Sequence, residues 1–193
     1  MMEAMRHADH WEESLASNNG LRLRNVEPGD VDAYVRMRCD PAMMAELGGP
    51  LPREGIEDKV ARDAGEAAAG RSLIKMIVPA GAAPGVVAGS VTMWRHGEGE
   101  DGSEPVSEIG WMVLPEFQGQ GVGKRAVRML LELAGQQDRW GLVHAYPAIT
   151  NGPSNGICRS LCFTLADELD ITFAGRALRC NDWYIDPQAR PDT

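Results

Sequence analysis

The stretch from Ser107 to Leu133 constrains this chain more than any other part of it. Ser107 to Leu114 reads as a strand and Pro115-Glu116-Phe117 as a turn; Gln118-Gly119-Gln120-Gly121-Val122-Gly123-Lys124 then forms a glycine-dense opening to a helix. Apolar residues Val122, Ala126, Met129, Leu130 and Leu133 recur at helical spacing and mark that helix. The first amides of a helix have no partner within it, and its aligned peptide dipoles leave about half a positive charge there. Glycines at 119, 121 and 123 clear away the side chains that would hold an anion off those amides. A phosphate or pyrophosphate is the expected guest.

Spacing narrows the choice of phosphate ligand. Lys124 is followed by Arg125, so there is no Gly-x4-Gly-Lys-Ser/Thr loop. Gly119, Gly121 and Gly123 alternate, which fails the dinucleotide pattern Gly-x-Gly-x-x-Gly, and no parallel-sheet unit with a ribose-binding acid follows. What remains is Gln118-x-x-Gly121-x-Gly123 directly after strand-Pro-Glu. This resembles the pyrophosphate-binding motif of the GNAT superfamily, the acetyl-CoA-dependent N-acetyltransferases.

The rest of the chain falls into an order that suits the resemblance. Leu21 to Val26 alternates apolar and basic residues as an edge strand, and Glu27-Pro28-Gly29-Asp30 is a turn ending in an N-cap for a helix marked by Val31, Tyr34 and Val35. Asp40-Pro41 starts a short helix that Gly48-Gly49-Pro50 stops, and a longer helix is expected from Pro52 to about Ala69. Strands follow at Ser72 to Val78 and Val86 to Trp94, then an acidic, glycine-rich loop from Gly97 to Pro105. After the central strand and helix comes a parallel strand at Leu142 to Tyr146. Asn151-Gly-Pro-Ser154-Asn155-Gly-Ile-Cys158-Arg-Ser-Leu161-Cys162-Phe163 is similar to the second GNAT signature, with Cys162 where the family usually has Gly. Two strands, Phe163 to Phe173 and Leu178 to Ile185, close the domain.

Periodicity by itself gives an α/β or α+β domain. The resemblance implies the GNAT fold: a mixed central sheet of six to seven strands flanked by helices, with central parallel strands that splay apart after a bulge in the first. The expected organisation is a flexible extension over residues 1–20, an acetyltransferase domain over 21–186 and a tail over 187–193. His7 and His10 in the extension have no ligand cluster near them in sequence and read as solvated.

By position, the resemblance places the pantetheine arm of acetyl-CoA, the co-substrate, against the backbone of Trp111, Met112 and Val113. Gln118, Gly119, Gln120, Gly121, Val122, Gly123 and Lys124 would hold the pyrophosphate, and Asn151 and Ser154 would face the cofactor. The implied reaction is direct attack of a primary amine on the thioester. An alkylammonium has a pKa near 10, so a base must take a proton from it. Glu108, on the central strand just before the expected splay, is the first candidate; Glu116 reads as structural. A free amide near Met112 or Val113 would stabilise the oxyanion. Many family members protonate the leaving thiolate with a Tyr on the second helix, a position occupied here by Cys158. Ser154 becomes the candidate acid, with Tyr146 and His144 as further options. Asn151 and Ser154 serve equally well as helix-capping residues.

The acceptor site is expected between the early helices, with Tyr34, Met43, Met44 and Leu47, and the last hairpin, with Asn181-Asp182-Trp183. A net charge of −9 argues against a nucleic-acid surface and suits a cationic amine. No apolar run reaches the ~20 residues that span a bilayer, and the first residues lack a secretory signal, so no membrane partner and a cytoplasmic location are expected. Cys39, Cys158, Cys162 and Cys180 form no Cys-x-x-Cys pair; free thiols and no metal are the expectation. The reading is therefore an N-acetyltransferase of a small amine. A protein N-terminal or lysine acetyltransferase and a non-catalytic acyl-CoA sensor stand as alternatives, and a homodimer is left open as its assembly.

Overall fold

The computed structural model describes residues 20–96 and 105–189. Seven strands form one mixed sheet in the order β1-β2-β3-β4-β5-β7-β6. They are β1 Leu21–Asn25, β2 Leu73–Pro79, β3 Gly89–His96, β4 Val106–Val113, β5 Val143–Ala145, β6 Thr164–Phe173 and β7 Arg176–Ile185. Four α-helices lie among the described residues: α1 Val31–Arg38, α2 Ile56–Ala68, α3 Val122–Gly135 and α4 Gly152–Ser160. The expected element order and the mixed, helix-flanked sheet are both present. The N-terminal extension, with Trp11, Leu15, His7 and His10, and most of the acidic loop lie outside the described residues.

Alternation along the strands divides the interior into two cores. Leu73, Ile77, Val91, Met93, Ile109, Val143, Ala145 and Trp183 face α3, whose residues Val122, Ala126, Met129, Leu130 and Leu133 are buried against them. Ile74, Met76 and Val78 point the other way and meet Ala33, Tyr34 and Met37 of α1 and Ile56 and Val60 of α2. β2 is buried on both faces, so it reads as an unbroken apolar run and not as an alternation. The second core contains no residue of β5, β6 or β7, and among the described residues no helix contributes to a core on that face of those strands.

Three local expectations differ in detail. Asp30 does not cap α1; its carboxylate accepts two bonds from Arg24, at 2.7 and 2.6 Å, and one from the Glu27 amide at 2.8 Å. Residues 41–47 form turns and a short 3-10 segment where a helix is expected, and Gly48 ends them at φ 81°. β4 pairs with β3 in one register from Val106↔His96 to Val113↔Gly89, with no shift where the family pattern implies a bulge. Gly89 makes that ladder feasible, because a Cβ there would lie 2.0 Å from the Met112 carbonyl oxygen.

Candidate active site

β4 and β5 run parallel and pair at Ser107↔Val143 and Glu108↔His144, after which they separate. The chain leaving β5 stays with β7 instead. Ala148 bridges Cys180, the Asn181 amide donates to the Pro147 carbonyl at 3.0 Å, and the Ile149 amide donates to the Arg179 carbonyl at 3.0 Å. Asn155, 2% exposed, fastens this arrangement to α4. Its Nδ2 donates to the carbonyls of Ala148 and Asn151 at 2.9 and 2.8 Å, and its Oδ1 accepts from Asn181 Nδ2 and Trp183 Nε1 at 2.6 and 2.9 Å. The divergence thus comes from what β5 is tied to, not from an irregularity in β4.

The separation leaves backbone groups of β4 without a strand partner on one side. Leu114 donates to the Ala88 carbonyl at 2.8 Å, and antiparallel alternation then assigns the main-chain groups of Met112 and Gly110 to β3. Those of Trp111 and Val113 face the gap. Of the three strand residues expected to meet a pantetheine arm, Trp111 and Val113 turn their main chain toward the gap and Met112 does not. The Met112 amide is for the same reason not available to an oxyanion. Gln118 reaches back so that its Nε2 donates to the Val113 carbonyl at 2.8 Å. One acceptor of the gap is therefore occupied by a side chain read from sequence as a cofactor contact.

Beyond Pro115–Phe117 the chain turns through Gly119 at φ 71° and Gly121 at φ 72°, both left-handed, so glycine is required at each. Gly121 is the N-cap of α3, no side chain caps that end, and the first helical bond runs from the Arg125 amide to the Gly121 carbonyl at 3.1 Å. The amides of Val122, Gly123 and Lys124 precede that bond and have no partner within the helix. Gly123 is small for a different reason: a Cβ would meet Ile157 Cδ1 at 3.0 Å and Val113 Cγ2 at 3.3 Å, where α3 passes α4 and β4. Glu116 pairs with Arg36 at 2.5 Å, which holds its carboxyl below the usual range and ties the turn to α1, a structural part as expected.

Glu108 lies at the fork itself. Burial raises its pKa above the ordinary carboxylate value, opposed by the charge of and hydrogen bond to His96, and by His144. His96 Nε2 stands 2.9 Å from Glu108 Oε2. The sequence reading missed His96, because the register Trp94↔Glu108 that makes the two diagonal neighbours is a tertiary fact. Glu108, His144 and Tyr184 form one row across β4, β5 and β7. His144 Nδ1 is 2.7 Å from Asp182 Oδ1. Burial pushes the Tyr146 phenol up to about 12, helped by Asp182 and Glu108.

The second signature divides into capping and core. Asn151 caps α4, its Oδ1 accepting from the Ser154 amide at 3.0 Å. Cys158 is fully buried, and that burial pushes its thiol up to about 12. Cys162, standing where the family usually has Gly, is at φ 62°, the left-handed conformation that the substitution strains. All four cysteines are free. Among the described residues no group of three or more His, Cys, Asp or Glu could hold a metal, and no helix is long and apolar enough to cross a membrane.

A gap between parallel strands beside an uncapped, glycine-built helix N-terminus is a geometry for a long phosphorylated cofactor. The family model for the acetyltransferase (GNAT) domain matches residues 20–164. The chain belongs to the GNAT acetyltransferases. As a GNAT protein it is an acetyl-CoA-dependent acyltransferase. Solved structures of this family share its fold at low identity. A GNAT acetyltransferase from Bacillus anthracis matches with TM-score 0.70 and 16% identity, over 89% of this chain and 97% of that one. RimL, a ribosomal-protein α-N-protein acetyltransferase in complex with coenzyme A, matches with TM-score 0.71 and 16% identity, over 91% and 99%. Spermidine N-acetyltransferase from Vibrio cholerae, in complex with CoA and spermine, matches with TM-score 0.69 and 16% identity, over 88% and 97%. No curated protein sequence matches this GNAT chain at a significant level.

Proposed function

We propose that this chain transfers the acetyl group of acetyl-CoA to a primary amine of a small molecule, by direct attack in a ternary complex. The observation that carries this reading is the gap opening past Glu108 and His144 beside the free amides of Val122, Gly123 and Lys124. In it the diphosphate of coenzyme A takes those amides together with the Gln118–Gly121 turn. The pantetheine arm lies along Trp111 and Val113 as a substitute strand. Asn151 and Ser154, at the start of α4, border the other side of the cofactor.

Glu108 takes the proton that the ammonium must lose. A carboxylate whose pKa is raised by burial is closer in basicity to its task than an exposed one. Two contacts across the rim favour a small acceptor. Thr150 Oγ1 donates to Glu46 Oε2 at 2.5 Å, and Arg176 Nη1 donates to the Gly49 carbonyl at 2.5 Å. They join the segment after α1, expected from sequence to shape the acceptor site, to the segments after β5 and at the start of β7.

The test is release of free coenzyme A thiol from acetyl-CoA with a panel of polyamines, aminoglycosides and peptides with free N-termini. The highest kcat/KM is expected for a small amine. Preference for peptides would assign a protein acceptor, and cofactor binding without thiol release from any amine would assign a non-catalytic acyl-CoA binder. Absence of coenzyme A binding at about millimolar concentration, the weak end of useful affinity, refutes the cofactor site itself.

A further inference from the structure

The attacking nitrogen loses two protons in this reaction, one before attack and one after the C–N bond has formed. Glu108 accounts for the first. The residue at the usual donor position for the departing sulfur, Cys158, is sealed in the core with its thiol pushed up to about 12. Ser154, the candidate acid read from sequence, could give a proton to sulfur, but its neutral hydroxyl is no base for the second nitrogen proton, so the group that accepts that proton and hands it on to sulfur is still unassigned.

We infer that His144, held by Asp182, is that group: a proton shuttle from the attacking nitrogen to the leaving sulfur. The inference rests on the function proposed above. His144 makes the last pair between β4 and β5, directly beside Glu108, so it stands where the gap begins. Its Nδ1, 2.7 Å from the Asp182 carboxylate, carries the hydrogen of that bond, and this leaves Nε2 as the free, proton-accepting nitrogen. The imidazole packs beside the rings of Tyr146 and Tyr184, each with its centroid 5.9 Å away, which restrict its orientation. The side chains of His144 and Asp182 are 22% and 17% exposed, which shields the pair without isolating it. A hydrogen-bonded carboxylate that orients an imidazole and stabilises its protonated form is the relationship seen in catalytic triads.

The charged and titratable groups around His144 are Glu108 on β4, His96 behind it, Tyr146 on the outgoing strand, and Asp182 and Tyr184 on β7. Arg95, Asp138 and Arg139 share with His144 the lining of a cavity of about 380 Å3 at the paired end of the fork. The steps balance as follows. The ammonium gives one proton to the Glu108 carboxylate, and the neutral amine adds to the thioester carbonyl. The nitrogen, now positive, passes a second proton to Nε2 of His144. The C–S bond breaks with its electron pair on sulfur, and the imidazolium protonates the thiolate. The proton on Glu108 leaves through His96, half exposed at 47%. One ammonium and one thioester become one amide, one thiol and one released proton.

The experiment is steady-state kinetics of His144→Ala, His144→Gln and Asp182→Asn on the best amine from the panel, with free imidazole added. His144→Ala is expected to lose about 100-fold or more in kcat, with KM for acetyl-CoA within about twofold and activity partly restored by imidazole, in keeping with the usual size of general acid–base effects. Asp182→Asn is expected to lose less, and imidazole to leave it unchanged. Calorimetric acetyl-CoA binding checks that each variant is folded; if His144→Ala fails it, His144→Gln, which keeps volume beside the two tyrosines, carries the test through its own kcat. A variant at position 144 that retains a third or more of wild-type kcat overturns the inference. So does a folded His144→Ala whose loss imidazole does not relieve. Wild-type protein that binds acetyl-CoA yet acetylates no amine overturns the functional reading first, and this inference with it, an outcome visible before any variant is made.

Discussion

Asn155→Ala removes the residue that keeps the gap open, and its cost follows from the bonds it makes. The substitution deletes four hydrogen bonds from a side chain 2% exposed. Asn151 keeps a donor at its carbonyl, because the Asn155 amide also donates there at 3.0 Å. The Asn181 amide is only half-buried and can turn to water. The Ala148 carbonyl likewise keeps the Asn151 amide at 2.9 Å. One group is left without a partner: the Trp183 indole N–H, on a residue 5% exposed. At about 1–3 kcal/mol for the orphaned donor, the loss is about 2 kcal/mol, or about 4–8 °C in Tm for a chain of this size. Urea unfolding of Asn155→Ala, Trp183→Phe and the double variant measures it. Trp183→Phe removes the orphaned donor, so the double variant should be more stable than the sum of the singles implies, by about 1–2 kcal/mol. Because Ala148 and Pro147 form the wall that leaves β4, KM for acetyl-CoA should rise in Asn155→Ala. A loss under about 0.5 kcal/mol, or strict additivity with Trp183→Phe, would refute the claim that this residue pins β5 and α4 to β7.

Further substitutions probe other parts of the argument. Cys162→Gly at φ 62° should gain about 1–2 kcal/mol of relieved backbone strain less about 0.4–1 kcal/mol of added unfolded-state freedom, a net rise of about 0.5–1 kcal/mol in urea unfolding. Gly121→Val at φ 72° places a β-branched residue in the left-handed region over the free amides, and calorimetry should show at least tenfold weaker coenzyme A binding. Glu108→Gln should lower kcat by about 10²–10⁴ with acetyl-CoA binding unchanged. In the wild type, kcat/KM should rise with pH through a midpoint above the ordinary carboxylate range, since Glu108 acts only when ionised. The same group binds its proton more tightly folded than unfolded. Its contribution therefore favours the fold below the unfolded carboxylate pKa and is lost as pH rises through the elevated folded value, and Glu108→Gln should flatten that part of the stability–pH curve.

How far the residues speak for themselves differs between the cofactor side and the acceptor side. Gly119 and Gly121 announce their left-handed turn because no other residue adopts it without strain, and the helical spacing from Val122 to Leu133 announces the dipole behind it. The Cys162 anomaly was legible for the same reason. Asn155 and His96 were not: one is a buried amide whose four partners lie in two segments, the loop before α4 and β7, and the other becomes a partner of Glu108 only through the β3–β4 register. Met112 was read together with its neighbours because a run of strand residues does not reveal which of them turns its main chain toward which partner. The two chemically prominent residues of the second signature, Asn151 and Cys158, resolve into a helix cap and a core side chain.

The sequence by itself determined the local conformations: where strands and helices begin, which turns need glycine, and that one helix start is built for an anion. These depend on backbone sterics and on periods of two and 3.6 residues, which neighbours in the chain are sufficient to express. Only the tertiary structure decided that β5 leaves β4 for β7, and that Glu108, His96, His144 and Asp182 meet at the place where it does so. Pairing register and long-range hydrogen bonds join residues that are many positions apart, and the free energy that selects them belongs to the assembled sheet, not to any single segment.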